Sequence, residues 1–97
     1  MNNIQWKDVK EILTQKGYNV TVVGRARKEY FAEKGEFILD FFKGGITGSG
    51  IRSEVFVHYG DDCKVLFHGE EVNLGKLLEL ADSVVNDYEE GLLVIES

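Results

Sequence analysis

His58, His68 and Cys63 are the side chains of this 97-residue chain best suited to metal ligation or nucleophilic attack. A structural zinc site needs four such ligands gathered around one ion. In the strand register derived below, His58 faces Lys64 and His68 faces Glu54. That separates the two rings by roughly 13 Å at ~3.3 Å per residue, too far for one ion. Cys63 follows Asp61 and Asp62, whose charges oppose the thiolate that a nucleophile requires. No Ser-His-Asp or Cys-His spacing stands out, and no pair of carboxylates reads as buried. These residues point to no metal, no cofactor and no enzyme.

The run Lys43-Gly44-Gly45-Ile46-Thr47-Gly48-Ser49-Gly50 could cradle a phosphate through its backbone amides. It lacks the G-x-x-x-x-G-K-[ST] spacing and does not open a helix. It reads as a connection between strands, with Gly44, Gly45, Gly48 and Gly50 free to adapt to a partner.

Charge is the strongest chemical signal. Residues 70–97 hold eight acids and one base, Lys76, whereas residues 1–69 hold nine acids and ten bases; the whole chain carries a formal -6. Glu79, Asp82, Asp87, Glu89 and Glu90 fall on the last predicted helix. Three of them, Asp87, Glu89 and Glu90, crowd its C-terminal turn. The helix dipole favours cations there, and each acid costs roughly 0.3–1 kcal/mol. Such a row of carboxylates can oppose the Arg and Lys of a nucleic-acid-binding surface. The partner it implies is a basic protein, with these five acids making the charged contacts.

The elements that position these groups follow from periodicity. Residues 3–16 read as a helix, with Asn2 and Gln5 as a capping box and Met1 against Trp6 as a staple. Gly17 supplies its left-handed end, folding Tyr18 back onto Leu13. Residues 18–23 begin a strand, continued by 25–34 as one long, irregular strand. A turn at Glu33-Lys34-Gly35 leads into a returning strand over 36–42, and 43–51 is the glycine-rich loop. Residues 53–59 and 63–68 form a hairpin around Gly60-Asp61-Asp62. Its register sets Tyr59 against Cys63, Val57 against Val65 and Val55 against Phe67 on the core face, joined by Phe37, Leu39 and Phe41. The other face mixes Asp40, Glu54, His58, Lys64 and His68 with Phe42, Phe56 and Leu66. Asn73 caps a final helix reaching Glu90, with Leu74, Leu77, Leu78, Ala81, Val84, Val85 and Tyr88 on one arc. Gly91 ends it, and 92–95 form a fifth strand or a docked tail.

The expected fold is α+β: one domain over residues 1–97, an antiparallel sheet of four to five strands, and both terminal helices on one face (α-β-β-β-β-α). No apolar run reaches the ~20 residues of a membrane span. Residues 1–20 lack a signal-peptide core, and one cysteine excludes an internal disulfide, so a cytoplasmic location is expected. The alternative to the acidic helix is the mixed sheet face. There Tyr30, Phe42 and Phe56 with Arg25, Arg27, Lys28, Lys43, Arg52 and Lys64 could clamp single-stranded nucleic acid, or the face could pair with a second copy. Net charge opposes direct nucleic-acid binding.

Residues 1–24, a short amphipathic helix running into a strand, resemble the opening of the small acidic phage-encoded anti-CRISPR proteins that inhibit Cas9. The acidic C-terminal helix extends that likeness. The fourth strand and the glycine-rich run depart from the family pattern, and no inhibitory motif carries over. The resemblance implies a non-enzymatic inhibitor that occupies a basic, nucleic-acid-binding surface. Toxin-immunity proteins follow a similar logic of acidic surface against basic target.

Overall fold

The computed structural model describes residues 4–25, 28–48, 50–62 and 64–92. The expected roles of Met1, Asn2, Arg27 and Cys63, and residues 93–95 of the tail, lie outside the described residues.

A single 3-10 turn, Trp6–Asp8, leads into helix α1 (Val9–Gln15). Helical structure thus starts at Trp6 rather than at residue 3. Asp8 explains the shift: its carboxylate accepts from the Gln5 backbone N–H at 3.2 Å, so Gln5 caps the turn instead of lying inside it. Val9 and Leu13, one turn apart, are the buried residues of α1. The helix ends as expected. Gly17 has φ 96°, the Tyr18 N–H donates to the Leu13 carbonyl at 3.0 Å, and the Gly17 N–H donates to Thr14 at 3.1 Å. These are the paired bonds of a Schellman ending, and they bury Tyr18 beside Leu13.

Five antiparallel strands follow among the described residues: β1 (Asn19–Val23), β2 (Glu29–Lys34), β3 (Phe37–Thr47), β4 (Gly50–Tyr59) and β5 (Lys64–Glu71). They pair in chain order as a meander. Helix α2 (Leu74–Glu89) closes the fold, its first turn capped by Asn73 Oδ1 accepting from Lys76 N–H at 3.0 Å. Tyr30, Ala32, Leu39, Phe41, Val55 and Val57 alternate along three strands and bury against Val9 and Leu13 of α1 and Leu74, Leu77, Leu78, Ala81 and Val85 of α2. The α+β layout with both helices on one face is as the periodicity indicates. No helix among the described residues is long and apolar enough to cross a membrane.

Three local expectations need correction. The long strand expected through residue 34 is two strands, β1 and β2, with Val22 opposite Tyr30 and Asn19 opposite Glu33. This hairpin supplies the fifth strand, and Leu92, the described start of the tail, is 70% exposed. The glycine-rich run is mostly strand. Gly44 and Gly45 lie within β3, Gly50 opens β4, and of these four only Gly48 sits in the turn. The ladder shifts between Lys43↔Ser53 and Ile46↔Ile51, so Gly44 and Gly45 together oppose Arg52 as a β-bulge. A Cβ on Gly44 would lie 2.8 Å from Glu54 Oε2 and 3.1 Å from the Arg52 carbonyl, so close strand approach requires glycine there. The run is therefore not the adaptable loop that its composition suggests.

The β4–β5 register is displaced by two residues at Val57, which faces Phe67 rather than Val65. The turn holds one residue more than expected, since Tyr59 pairs with Lys64. A second shift between Val57 and His58 leaves Leu66 as an extra residue on β5. Val65 consequently turns outward, 48% exposed, while Leu66 and Phe67 pack against the core. A total displacement of two keeps Val55, Val57 and Phe67 on their intended face.

β3 and β4 also outrun their neighbours. The β2 pairing of β3 stops at Phe41, and the β5 pairing of β4 stops at Ser53. The residues beyond form a two-stranded arm. Gly17→Ala should cost about 1 kcal/mol, because a Cβ is strained at positive φ while its nearest neighbour, Lys34 Cε at 3.8 Å, leaves room for it. A denaturant titration should show a lower midpoint with an unchanged slope and a native far-UV spectrum.

Candidate functional site

The five acids of the last helix do not share one environment. Asp82 is tied into the fold. Its Oδ1 accepts from the Tyr18 hydroxyl at 3.1 Å, and its Oδ2 lies 3.4 Å from Lys16 Nζ. Burial, then the Asp82 charge and hydrogen bond, and finally the Glu89 charge push the Tyr18 hydroxyl well above its usual range. Tyr18 thus remains a neutral donor, and the contact fastens the end of α1 to the middle of α2. Glu79 borders a shallow cavity of about 700 Å³ near the start of α2, beside Lys43, Ser53 and Lys76. Glu89 lines a separate cavity of about 380 Å³ with Lys34, Glu36, Tyr59 and Tyr88. Asp87 is half-buried and Glu90 exposed. Among the described residues Glu79, Asp87, Glu89 and Glu90 make no ion pair.

The last turn of α2 repeats the ending of α1. The Leu92 N–H donates to the Asp87 carbonyl at 2.8 Å, and the Gly91 N–H donates to Tyr88 at 3.1 Å. Two of the orphan carbonyls are satisfied, which moderates the conflict between the acids and the dipole. Below this end, Phe37, Tyr59 and Tyr88 form a ring cluster, with centroids 4.6–5.6 Å apart. The hydrogen bond to Glu36, followed by burial, pushes Tyr59 up to about 12.

The other side of the sheet carries no helix. Asp40, Phe56 and His68 lie in one cross-strand row, continued by Phe31 and Thr21. Phe56 is its centre. It stacks on His68 at 4.2 Å and 4°, on Phe42 at 5.8 Å and 12°, and on His58 at 6.0 Å and 25°. Two shallow grooves flank the row. One, of about 380 Å³, lies between Phe31, Ile38 and His58; the other, of about 390 Å³, between Lys28, Glu29, Asp40, Phe42, Lys43 and Phe56. The mixed character expected of this face holds, except that Leu66 has joined the core and Lys64 now faces Tyr59, with Val65 in its place opposite His58.

The displaced register changes what the histidines touch. Both now flank the Phe56 ring, instead of lying four residues apart along the ladder. The Glu54–His68 contact expected as a direct pair forms diagonally, with Nε2 3.0 Å from Oε1. Glu70 stands opposite Glu54, so Glu54, His68 and Glu70 bring three possible ligand atoms within 4.8 Å of one another. Arg52 Nη1 already donates to Glu70 at 3.0 Å. Glu70 is thus engaged by Arg52, and Glu54 by His68.

A close carboxyl pair does exist, between the half-buried Asp40 and Glu29. Asp40 hydrogen-bonds to Glu29, and its Oδ1 is buried without a partner. Burial first, then this bond, then the Glu29 charge push Asp40 up to about 7. The bond needs a proton, because two carboxylates have no donor between them. The sequence offers a signal in Phe37-Ile38-Leu39-Asp40-Phe41-Phe42, where one acid interrupts an apolar strand.

In the folded chain Asp40 keeps a proton that the unfolded chain releases near its ordinary value of 3.8. From there to about 7 the folded state binds more protons, so stability falls as pH rises across that window. Asp40→Asn supplies a permanent donor to Glu29. It should flatten this slope and raise stability at pH 8 by on the order of 1 kcal/mol, discounted for solvent screening. Parallel urea titrations at pH 5 and pH 8 measure it; equal pH dependence in both proteins contradicts the shared proton.

No protein-family model, curated protein or solved structure matches the chain.

Proposed function

We propose that this chain is a non-catalytic binding protein that regulates or inhibits a basic partner, a nucleic-acid-binding protein in the first instance. One observation carries the reading. Asp87, Glu89 and Glu90 crowd the end of α2, and none makes an ion pair among the described residues. Internal stability does not account for acids at a helix C-terminus, where the dipole disfavours them. A basic surface docked there would reverse the sign of that cost. Asp82 is removed from the expected contact set, because Tyr18 and Lys16 already engage it. Glu79 lies 8 to 11 residues away, ~12–16 Å along the helix axis, and extends the acidic surface at long range. A phage or mobile-element inhibitor of a CRISPR nuclease would be one member of this class.

The triple reversal Asp87→Lys, Glu89→Lys, Glu90→Lys tests the reading without touching the Asp82 tether. Wild-type protein should retain a basic, nucleic-acid-binding protein from the native cell in a salt-sensitive manner. The triple variant should lose it while keeping its circular-dichroism spectrum. Equal retention by the variant would sink the proposal.

A second reading assigns the open sheet face to single-stranded nucleic acid. The stack of Phe42, Phe56 and His68, with Lys28 and Lys43 beside it, favours this reading. Exposed aromatic rings offer a sequence-tolerant platform for bases. A labelled oligothymidine should shift at low salt and weaken roughly tenfold with Phe56→Ala. No shift at low salt removes this reading. A concentration-dependent dimer lost in Phe56→Ala would give the face to a second copy instead.

A further inference from the structure

Four of the ten described lysines and arginines are engaged by neighbouring groups. Lys16 meets Asp82, Arg52 meets Glu70, Lys76 meets Glu71, and Lys34 donates to the Lys16 carbonyl. Of the described lysines and arginines, Lys7, Lys10, Arg25, Lys28, Lys43 and Lys64 make neither an ion pair nor a side-chain hydrogen bond. Four of those six converge on a single pocket. It has a volume of about 230 Å³ and is lined by Trp6, Lys7, Arg25, Lys28, Tyr30 and Lys43. Every described lining residue is thus either basic or aromatic, and among the described residues no carboxylate borders the cavity.

Distant parts of the sequence bring these cations together. Lys7 comes from the 3-10 turn before α1, Arg25 and Lys28 from the β1–β2 connection, and Lys43 from the β3 bulge. The floor is firm. Tyr30 is buried, and Trp6 stacks on it at 5.4 Å and 28°. Four like charges around one small volume repel one another, and an anion in the centre relieves that repulsion. A carboxylate presents two oxygens and one charge. A phosphate presents more acceptor oxygens and up to two charges, which suits four donors supplied by three chain segments, one of them the Arg25 guanidinium. The volume is below the ~300–1,000 Å³ of sites for drug-sized ligands and suits a phosphate or pyrophosphate group.

We propose that this pocket binds a phosphate group, held by Lys7, Arg25, Lys28 and Lys43 against the Trp6–Tyr30 stack. The site is independent of the acidic end of α2. It adjoins the open sheet face, since Lys28 and Lys43 line a groove there as well. A free oxyanion and a nucleotide phosphate share this chemistry.

Trp6 is the only tryptophan of the chain, so its fluorescence reads the pocket directly. Pyrophosphate titrated at fixed ionic strength should change Trp6 emission saturably, with a matching heat in calorimetry. Sodium chloride at equal ionic strength should not. Lys28→Gln with Lys43→Gln should weaken pyrophosphate binding by roughly tenfold or more at an unchanged far-UV spectrum. The paired substitution Lys10→Gln with Lys64→Gln, outside the pocket, should leave it intact. A 5′-mononucleotide binding more tightly than phosphate assigns the site to a nucleotide with its base near Trp6; equal affinity assigns it to the oxyanion alone. The proposal is overturned if neither emission nor heat responds to pyrophosphate, if chloride gives the same response, or if both double variants bind like wild type. Those results leave the oligothymidine and partner-capture experiments unaffected, so each reading fails separately.

Discussion

Both helices cover the same side of the sheet, and that one-sided burial governs the remaining structure. Each inner strand must send an apolar side chain toward the helices at every second residue. Leu39, Phe41, Val55 and Val57 obey this, and all are fully buried. The rule explains why the register can slip by two yet keep its faces, and why the extra residue Leu66 forces a local reversal at Val65. It also explains the character of the open side. Asp40, Glu54 and His68 occupy the intervening positions, and no helix covers them. Asp40 is desolvated enough there to hold its proton longer, but not removed from water.

Much of this architecture is written in local patterns. The ends of both helices rest on Gly17 and Gly91, and the final helix declares itself by Leu74, Leu77, Leu78, Ala81 and Val85 at helical spacing. The sequence is ambiguous where one residue type serves two purposes. Gly44 and Gly45 read as breakers, yet they sit in a strand because two backbones approach closely there. Gly24, with φ 93°, does mark the turn between β1 and β2, but the β-branched and aromatic residues on both sides suggest continuity. The Leu66 bulge has no local signature, because Val65, Leu66 and Phe67 are each acceptable on a buried face.

The candidate surfaces are legible to different degrees, for the same reason. The acidic helix is a local pattern, and charge counting finds it. Counting does not reveal that Asp82 belongs to a tether, because Tyr18 and Lys16 lie more than sixty positions away. The phosphate pocket is harder still. Lys7, Arg25, Lys28 and Lys43 are scattered among acids along the chain, and only the fold separates the cations from them. Arg25, Lys28 and Lys43 can be suspected together from sequence; Lys7 and Trp6 join them through the packing of the first turn on β2.

The two-stranded arm at the far ends of β3 and β4 carries a mechanical consequence. Beyond Phe41 and Ser53 the backbone ladder joins each strand only to the other, a bulge interrupts that ladder, and Arg52 ties the arm to Glu70 of β5. Its backbone bonds break without disturbing the strands that the helices cover. Opening of this tip therefore requires less free energy than unfolding of the whole chain. Its amides should exchange with solvent through a subglobal event of their own, while those of Leu39 and Val57 wait for complete unfolding. The arm behaves as a separate cooperative unit, joined to the sheet at the point where Gly44 lets Glu54 and Arg52 come close.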